Sequence, residues 1–89
     1  MRVRLKSEVE VTLLRDGSLR LFCEVTGADY TGEPAAAAMW VALVQHDGDS
    51  RQAADLLAET WDTDPAYTRA SMEVWIEELC ALSLVRLEI

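Results

Sequence analysis

The sequence predicts an α+β fold in which a three-stranded antiparallel sheet is followed by three helices, in a winged helix-turn-helix-like arrangement. Two observations predict it. Apolar and polar residues alternate with a period of two through the first third of the 89-residue chain, as half-buried strands require. After Pro34 the apolar residues recur at three- and four-residue steps, which is typical of amphipathic helices. Such strands and helices cover each other as two layers of a single domain, here residues 1–89.

Two turn sequences separate the three predicted strands. The segments Val9 to Leu13 and Leu19 to Val25 each bring alternate apolar side chains to one face. Asp16-Gly17 between them is typical of a tight hairpin, because Asp and Gly tolerate the positive φ angles of its turn. Thr26-Gly27 predicts a second turn. A short third strand, from Ala28 to Thr31, completes the antiparallel meander.

Proline and capping residues mark the starts of the three predicted helices. Pro34 suits the first helical position, where its missing N–H has no partner to lose. Asp49, followed three residues later by Gln52, resembles a capping box, and Asp64 predicts the third cap. The predicted helices run from Pro34 to His46, from Asp49 to Trp61 and from Pro65 to Leu82. The tail, residues 85–89, alternates again and predicts a short closing strand.

The predicted core draws on both layers. Among the helical side chains, the apolar spacing leads us to expect the following to be buried: Met39, Trp40, Leu43, Val44, Leu56, Leu57 and Trp61. Cys23 and Cys80 also lie within apolar periodic segments. Since the sequence contains no CxxC pair that would hold zinc, we expect both cysteines as reduced, buried thiols.

The charge of the chain argues against nucleic acid as a partner. The net charge is −8, and apart from Arg2, Arg4 and Lys6 the cations are scattered, whereas phosphate binding needs clustered Lys and Arg. The acidity either serves solubility or suits a neutral or basic partner. No apolar run approaches the roughly 18 residues of a membrane span, and no signal-peptide pattern follows the basic N-terminus. We therefore expect a cytoplasmic protein without a membrane partner.

No motif indicates catalysis. His46, the single histidine, stands at the end of the first predicted helix, where a cation suits the helix dipole. No serine has a histidine placed to activate it, and Glu77-Glu78 is explained as a solvated helix face. The sequence contains no glycine-rich phosphate loop and no cluster of metal ligands. We expect a binding module with no catalytic residue, no metal and no cofactor, rather than an enzyme.

The predicted binding surface lies between the third strand and the last helix. The third strand is an edge strand, so its outward N–H and C=O groups are available to an extended peptide. The last helix is the longest element and carries Tyr67 and Trp75, which are residues of the kind that anchor peptides. Four residues of this helix either line the binding surface or belong to the core, and the sequence is equally consistent with both: Tyr67, Ser71, Met72 and Trp75.

The order and spacing of these segments are similar to those of PqqD-like peptide-recognition domains. They are most similar to those of the stand-alone leader-binding proteins of lasso-peptide biosynthesis. The resemblance covers nearly the whole chain and rests on six segments: Arg15-Asp16-Gly17, Thr26 to Tyr30, Pro34 to Trp40, Leu56 to Glu59, Asp64-Pro65 and Leu79 to Val85. The chain departs from the family pattern at four places: Cys23 and Val25 replace Asp and Arg, Gly32-Glu33 replaces Leu-Asn, Ser71 replaces Asp, and Ser83 replaces Gly.

This resemblance implies a function and a site. Domains of the family bind the leader region of a ribosomally made precursor peptide as an added strand, and present it to a separate leader peptidase and a cyclase. Their leaders often carry a Tyr-x-x-Pro element whose aromatic ring enters an apolar pocket. On the strand side, the implied peptide-binding residues are Val25, Ala28, Asp29, Tyr30 and Thr31. On the helix side they are Thr68, Ser71, Met72, Trp75, Glu78 and Leu79. Of these, Glu78 would meet a basic leader residue.

Two other functions stay open on the sequence alone. A winged-helix transcriptional regulator would have a similar order of elements, but the negative charge and the lack of a basic recognition helix disfavour it. An interaction subunit without a peptide ligand would instead bury the edge of the third strand in a stable dimer.

Overall fold

The computed structural model describes residues 2–88, and Met1 and Ile89 lie outside the described part. Within it, the elements follow in this order: β1 (Arg2–Leu5), β2 (Val9–Leu13), β3 (Leu19–Cys23), β4 (Asp29–Gly32), α1 (Pro34–Gln45), α2 (Ser50–Trp61), α3 (Pro65–Ala81) and β5 (Val85–Glu88). The predicted α+β fold, with a three-stranded antiparallel sheet and three helices, is confirmed. The predicted third strand is β4, because β1 precedes the first predicted strand.

The three-stranded sheet has the order β2-β3-β4, so β3 is central and β4 lies at an edge. Leu19 and Leu21 of β3 are fully buried on the inner face, against the helices. Leu19 is opposite Gly32 and Leu21 is opposite Tyr30. Since paired residues point to the same face of a sheet, Tyr30 and Gly32 also belong to the inner face. This register positions the candidate site.

The hairpin between β2 and β3 differs in detail from the prediction. The N–H of Gly17 donates to the carbonyl of Leu14 at 3.0 Å, and the N–H of Leu14 donates to the carbonyl of Ser18 at 2.8 Å. The loop therefore has three residues. Within it, Gly17 takes a positive φ and Asp16 does not, so the predicted positive φ at Asp16 is wrong. The Asp16 carboxylate instead accepts a hydrogen bond from the N–H of Ser18.

β3 ends at Cys23, two residues before the predicted end at Val25. The N–H of Gly27 donates to the carbonyl of Cys23 at 2.8 Å, which turns the chain over residues 24–26. Val25 therefore lies in an exposed turn, with 76 % of its surface accessible, and the prediction that it continues the buried face of the strand is wrong.

Helices α1 and α3 begin at the predicted residues, and α2 begins at Ser50, with the predicted Asp49 as its N-cap. Pro34 is the first residue of α1, and the preceding Glu33 makes no capping bond through its side chain. The Asp49 carboxylate accepts from the N–H of Gln52 at 3.1 Å, and Asp64 caps α3 by accepting from the N–H of Ala66 at 2.9 Å. The N–H of Asp49 donates to the carbonyl of His46, so Gln52 does not close the predicted capping box. Helices α1 and α3 each end one residue earlier than predicted.

The strand that the prediction missed, β1, pairs antiparallel with β5 in a separate two-stranded sheet. The predicted closing strand is thus confirmed over Val85–Glu88, and its last predicted residue, Ile89, lies outside the described part. A signal for β1 is present, since Val3 and Leu5 alternate with Arg2 and Arg4. Four residues, however, are too few for a period of two to stand out.

β1 crosses the loop between α1 and α2 at close range. The N–H of Val3 donates to the carbonyl of Gly48 at 2.8 Å. A Cβ at Gly48 would lie 2.4 Å from the Val3 carbonyl oxygen, and Gly48 has a φ of +82°. The guanidinium of Arg4 adds bonds of 2.9 Å to the carboxylates of Asp47 and Glu88. The two-stranded sheet is therefore fixed against the helices by backbone contact and ion pairs.

The hydrophobic core lies between the two layers. Its largest fully buried side chains are Leu19, Leu21, Met72, Ile76, Leu79 and Leu84. The prediction for α2 is correct at Leu57, which is 5 % exposed, and wrong at Leu56, which is 37 % exposed. Leu56 falls outside the buried stripe because that stripe runs through 53, 54, 57 and 58.

The remaining predictions of buried side chains are correct only in part. Trp61 is exposed at the end of α2, so its predicted burial is wrong. Met39 and Trp40 are half-buried and pack against the core, whereas Val44 is 63 % exposed, so its predicted burial is wrong. Both cysteines are free thiols as expected, but Cys23 is buried whereas Cys80 is only half-buried.

Candidate functional site

β4 and α3 lie on either side of the groove that the sequence predicts. Their backbones stay apart along most of their length. One side-chain hydrogen bond bridges them, from the indole Nε1 of Trp75 to the hydroxyl of Tyr30, at 3.1 Å. We define the β4–α3 groove by residues 29–32 of β4 and by Ser71, Trp75 and Glu78 of α3, whose spacing of four and three residues places them on one stripe of the helix.

The register of the sheet decides which backbone groups of β4 point outward. The N–H of Cys23 donates to the carbonyl of Ala28 at 2.9 Å. In an antiparallel pair, hydrogen-bonded and non-hydrogen-bonded positions alternate. The β4 positions that bond to β3 in this register are therefore Ala28, Tyr30 and Gly32. Asp29 and Thr31 occupy the alternate positions, so their N–H and C=O groups line the open edge of β4 within residues 2–88.

The outer face of this edge carries an ion pair. Asp29 accepts two hydrogen bonds from the guanidinium of Arg20, at 2.9 and 3.1 Å. The same guanidinium lies 5.1 Å from the centroid of the Phe22 ring. The hydrogen bonds from Arg20 lower the pKa of the Asp29 carboxyl. Because the Asp29 side chain is already paired within the sheet, Asp29 has its backbone, rather than its carboxylate, to offer a ligand.

The inner face of β4 is occupied by Tyr30, which is half-buried. Burial raises the pKa of its hydroxyl, and the nearby carboxylates of Glu78 and Glu33 raise it further, against the hydrogen bond from Trp75. The hydroxyl is therefore protonated at neutral pH. Its oxygen accepts from the indole of Trp75 while its own proton remains to be donated.

The α3 side of the groove has exposed positions above a buried floor. Ser71 and Glu78 are exposed, about one turn before and after Trp75. The four other predicted helix-side residues are buried: Thr68, Met72, Trp75 and Leu79. Trp75 is only 5 % exposed. It is therefore a core residue whose Nε1 reaches the groove, which resolves the two placements that the sequence left open for it.

The remaining predicted strand-side residues lie near one end of β4. Val25 is in the exposed turn, and Ala28 precedes β4 and packs against the core while half-buried. Arg20, which pairs with Asp29, was not among the predicted site residues. Gly32 was not among them either, although Gly32-Glu33 was expected to lie at this groove, where the chain departs from the family pattern. A cation on the outer face of the neighbouring strand was the available signal for Arg20.

An apolar cavity lies at a different place on the domain. It has a volume of about 550 Å³ and is bounded by the β2–β3 hairpin, α1 and α2. Leu13, Leu14, Val41 and Leu56 contribute apolar side chains to it. None of the predicted peptide-binding residues lines this cavity, so it is separate from the β4–α3 groove.

The structure also bears on metal binding, on membrane spanning and on the position of the histidine. Within residues 2–88, no three His, Cys, Asp or Glu side chains are grouped closely enough to share a metal ion. Across the same residues, no helix has both the length and the apolar character needed to cross a membrane. His46 is half-buried at the C-cap of α1.

Comparison with known proteins gives a likeness of fold. No family model matches the sequence, and no curated protein matches it significantly. Among solved structures, the chain is similar to TbiB1 in complex with the TbiA(beta) leader peptide. The TM-score is 0.83 at 13 % sequence identity, over 97 % of this chain and 98 % of the TbiB1 chain. The two proteins share one fold.

Proposed function

We propose that the chain is a leader-binding adaptor in the biosynthesis of a ribosomally made, modified peptide. The leader region of the precursor adds to β4 as a further strand and lies in the β4–α3 groove. The domain carries out no chemistry itself and delivers the precursor to a separate leader peptidase and a cyclase. Following its resemblance to PqqD-like domains, we further propose that the product is a lasso peptide and that the adaptor acts in the cytoplasm.

One observation carries the proposal: within residues 2–88, no strand pairs with the outer edge of β4, and α3 lies across the groove from that edge. Asp29 and Thr31 direct two N–H and two C=O groups toward that edge, and an added strand would satisfy them with hydrogen bonds of about 0.5–1.5 kcal/mol each. Alternate side chains of such a strand would enter the groove and supply specificity. The shared fold with TbiB1, which was solved with a leader peptide, adds support.

The walls of the groove indicate which leader contacts to expect. Ser71 and Glu78 are exposed and would contact the leader through their side chains, and the carboxylate of Glu78 favours a basic leader residue. Beneath them, the buried side chains of Thr68, Met72 and Leu79 would support the groove without contacting much of the peptide. Val25 would border the leader at the turn before β4.

Titration of a fluorescently labelled leader tests the proposal, with the leader taken from a short precursor reading frame to be sought beside the gene for this chain. Thr31→Pro removes one outward N–H from β4, and its ring obstructs an approaching strand. Since Thr31 does not bond to β3 through its N–H, the sheet itself keeps its hydrogen bonds. We expect saturable micromolar binding by the unchanged chain and an affinity at least about tenfold weaker in Thr31→Pro.

Val11→Pro provides the matched control on the other edge strand. The hydrogen bond between Leu14 and Ser18 sets the alternation in the β2–β3 pair, and it directs the N–H of Val11 away from β3. Val11→Pro should therefore bind the leader as the unchanged chain does. Equal losses in the two variants would rule out β4 as the binding edge, and failure of the unchanged chain to bind would reject the function.

A further inference from the structure

The inner side of the β4–α3 groove is filled by a side chain of the protein itself. Tyr30 and Gly32 are two residues apart on the inner face of β4. A Cβ at Gly32 would lie 2.8 Å from the Tyr30 hydroxyl, 2.9 Å from Tyr30 Cε1 and 2.6 Å from the Cβ of Ala36. These distances are shorter than real contacts to a Cβ. The Tyr30 ring therefore lies directly against the backbone of Gly32, in space that any other residue at position 32 would occupy.

The ring is held at its far end as well. The Tyr30 hydroxyl accepts the 3.1 Å hydrogen bond from Nε1 of Trp75. Trp75 is anchored in the core, so its Nε1 is a fixed point rather than a mobile donor. Displacing the Tyr30 ring breaks this hydrogen bond and leaves the Trp75 N–H without its partner, which is unfavourable for a group at the border of the core.

An added strand would meet this ring directly. Adjacent strands lie about 4.8 Å apart. A leader that bonds to Asp29 and Thr31 places its alternate residues opposite Tyr30 and Gly32, in the non-hydrogen-bonded pairs where side chains approach most closely. The side chains at those leader positions point inward, and the surface they reach is the Tyr30 ring.

We propose that Tyr30, positioned by Gly32 and Trp75, sets the size of the inward-facing leader side chain and restricts it to small residues such as Gly, Ala or Ser. This inference rests on the proposed leader binding and adds its specificity. A bulky leader side chain, including an aromatic ring of the kind that the family resemblance implies, must displace Tyr30 before it enters. The carboxylates of Glu78 and Glu33 near the hydroxyl disfavour an acidic side chain at the same position.

The inference is tested by enlarging a leader side chain and, in a second step, by shortening Tyr30. The probe is the labelled leader described above, prepared as a series in which one position at a time is changed to Phe. Against the unchanged chain, we expect Phe to weaken binding at least about tenfold at one or two positions that are two residues apart, as overpacking predicts. Tyr30→Ala should restore most of that loss at these positions and at no others.

Two variants separate the size of Tyr30 from its other properties. Tyr30→Phe keeps the ring but lacks the hydroxyl that Trp75 holds, so its loss of affinity for the Phe-substituted leaders should fall between that of the unchanged chain and that of Tyr30→Ala. Val11→Ala shortens an inner-face residue on the opposite edge strand. It should leave the affinity for each Phe-substituted leader unchanged. If circular dichroism shows that Tyr30→Ala does not fold, Tyr30→Leu replaces it, since leucine is smaller and keeps an apolar contact.

The outcomes distinguish this inference from the proposed function. If the unsubstituted leader binds and Tyr30→Ala tolerates Phe no better than the unchanged chain does, Tyr30 does not set the size limit. If the unchanged chain already accepts Phe at every position, the groove has no such limit. If the unsubstituted leader does not bind at all, the proposed function fails and this inference fails with it.

Discussion

Trp75 and Tyr30 are joined by a hydrogen bond of 3.1 Å between the indole Nε1 and the phenolic hydroxyl. The two residues are 45 positions apart in the chain, on α3 and on the edge strand β4. This bond links the wall of the groove to its strand. It also accounts for the polar atom of a tryptophan that is otherwise buried, since a buried indole N–H needs an acceptor.

A double-mutant cycle measures this bond. Tyr30→Phe and Trp75→Phe each remove one partner, and Trp75→Phe also removes core volume. Because the cycle cancels the volume term, we expect a coupling energy of about 1 kcal/mol in urea-induced unfolding. The matched control pairs Trp75→Phe with Tyr67→Phe, since Tyr67 is on the same helix and 70 % exposed. A coupling as small as that of the control pair would mean that the bond contributes nothing to stability.

Adjacent leucines of α2 should differ in their effect on stability. Leu57→Ala removes a buried side chain and should lower the free energy of unfolding by roughly 2–5 kcal/mol, the range for cavity-forming substitutions. Leu56→Ala should cost much less, because Leu56 is 37 % exposed and solvent already reaches it. Urea titration of the two variants measures the free energy of unfolding of each. Equal losses of stability would contradict the observed difference in burial. Neither change should alter leader affinity once the folded fraction is accounted for.

Gly48→Ala should destabilise the fold more than Gly27→Ala does. Both glycines have a positive φ, +82° at Gly48 and +77° at Gly27, so each substitution carries a backbone cost of about 1–2 kcal/mol. At Gly27 a Cβ meets nothing within 4 Å, whereas at Gly48 it would lie 2.4 Å from the carbonyl oxygen of Val3. Thermal unfolding of the two variants isolates the steric contribution. Equal midpoints would show that β1 moves away from the loop without cost.

Acid should weaken the attachment of the two-stranded sheet. Hydrogen bonds from Arg4 lower the pKa of Asp47 and of Glu88 below their ordinary values of 3.8 and 4.5. A carboxyl whose pKa is lower in the folded state stabilises the fold above its unfolded pKa. That contribution is lost as the pH falls through the folded pKa. We therefore expect the melting temperature to fall below about pH 4.5.

Arg4→Met tests the source of this acid sensitivity. It removes the cation that lowers both pKa values, so its melting temperature should be lower at pH 7 and should change less between pH 5 and pH 3, roughly the window where Asp and Glu titrate. If the melting temperature of Arg4→Met changes with pH as much as that of the unchanged chain, other carboxyls cause the acid sensitivity. Asp16 is an example, because its hydrogen bonds with Ser18 lower its pKa.

Much of the groove could be predicted, because residues next to β4 and α3 in the sequence mark where these elements begin and end. The edge strand was located within one residue because Thr26-Gly27 and Pro34 bracket it. α3 was located because Asp64 and Pro65 start a helix wherever they precede a periodic apolar segment. The burial of Trp75, in contrast, depends on how α3 lies against the rest of the core, and the periodicity of one helix does not determine that.

The sequence by itself determined the order of β2, β3, β4 and the three helices, the caps Asp49 and Asp64, and the negative charge that disfavours nucleic acid. These depend on residues within a few positions of one another, or on composition. Only the tertiary structure decided that β1 pairs with β5, that Asp29 and Thr31 direct their backbone groups outward, and that Tyr30 lies against Gly32 and bonds to Trp75. Each of these requires the pairing of segments far apart in the chain, and a shift of register by one residue would reverse which groups point outward.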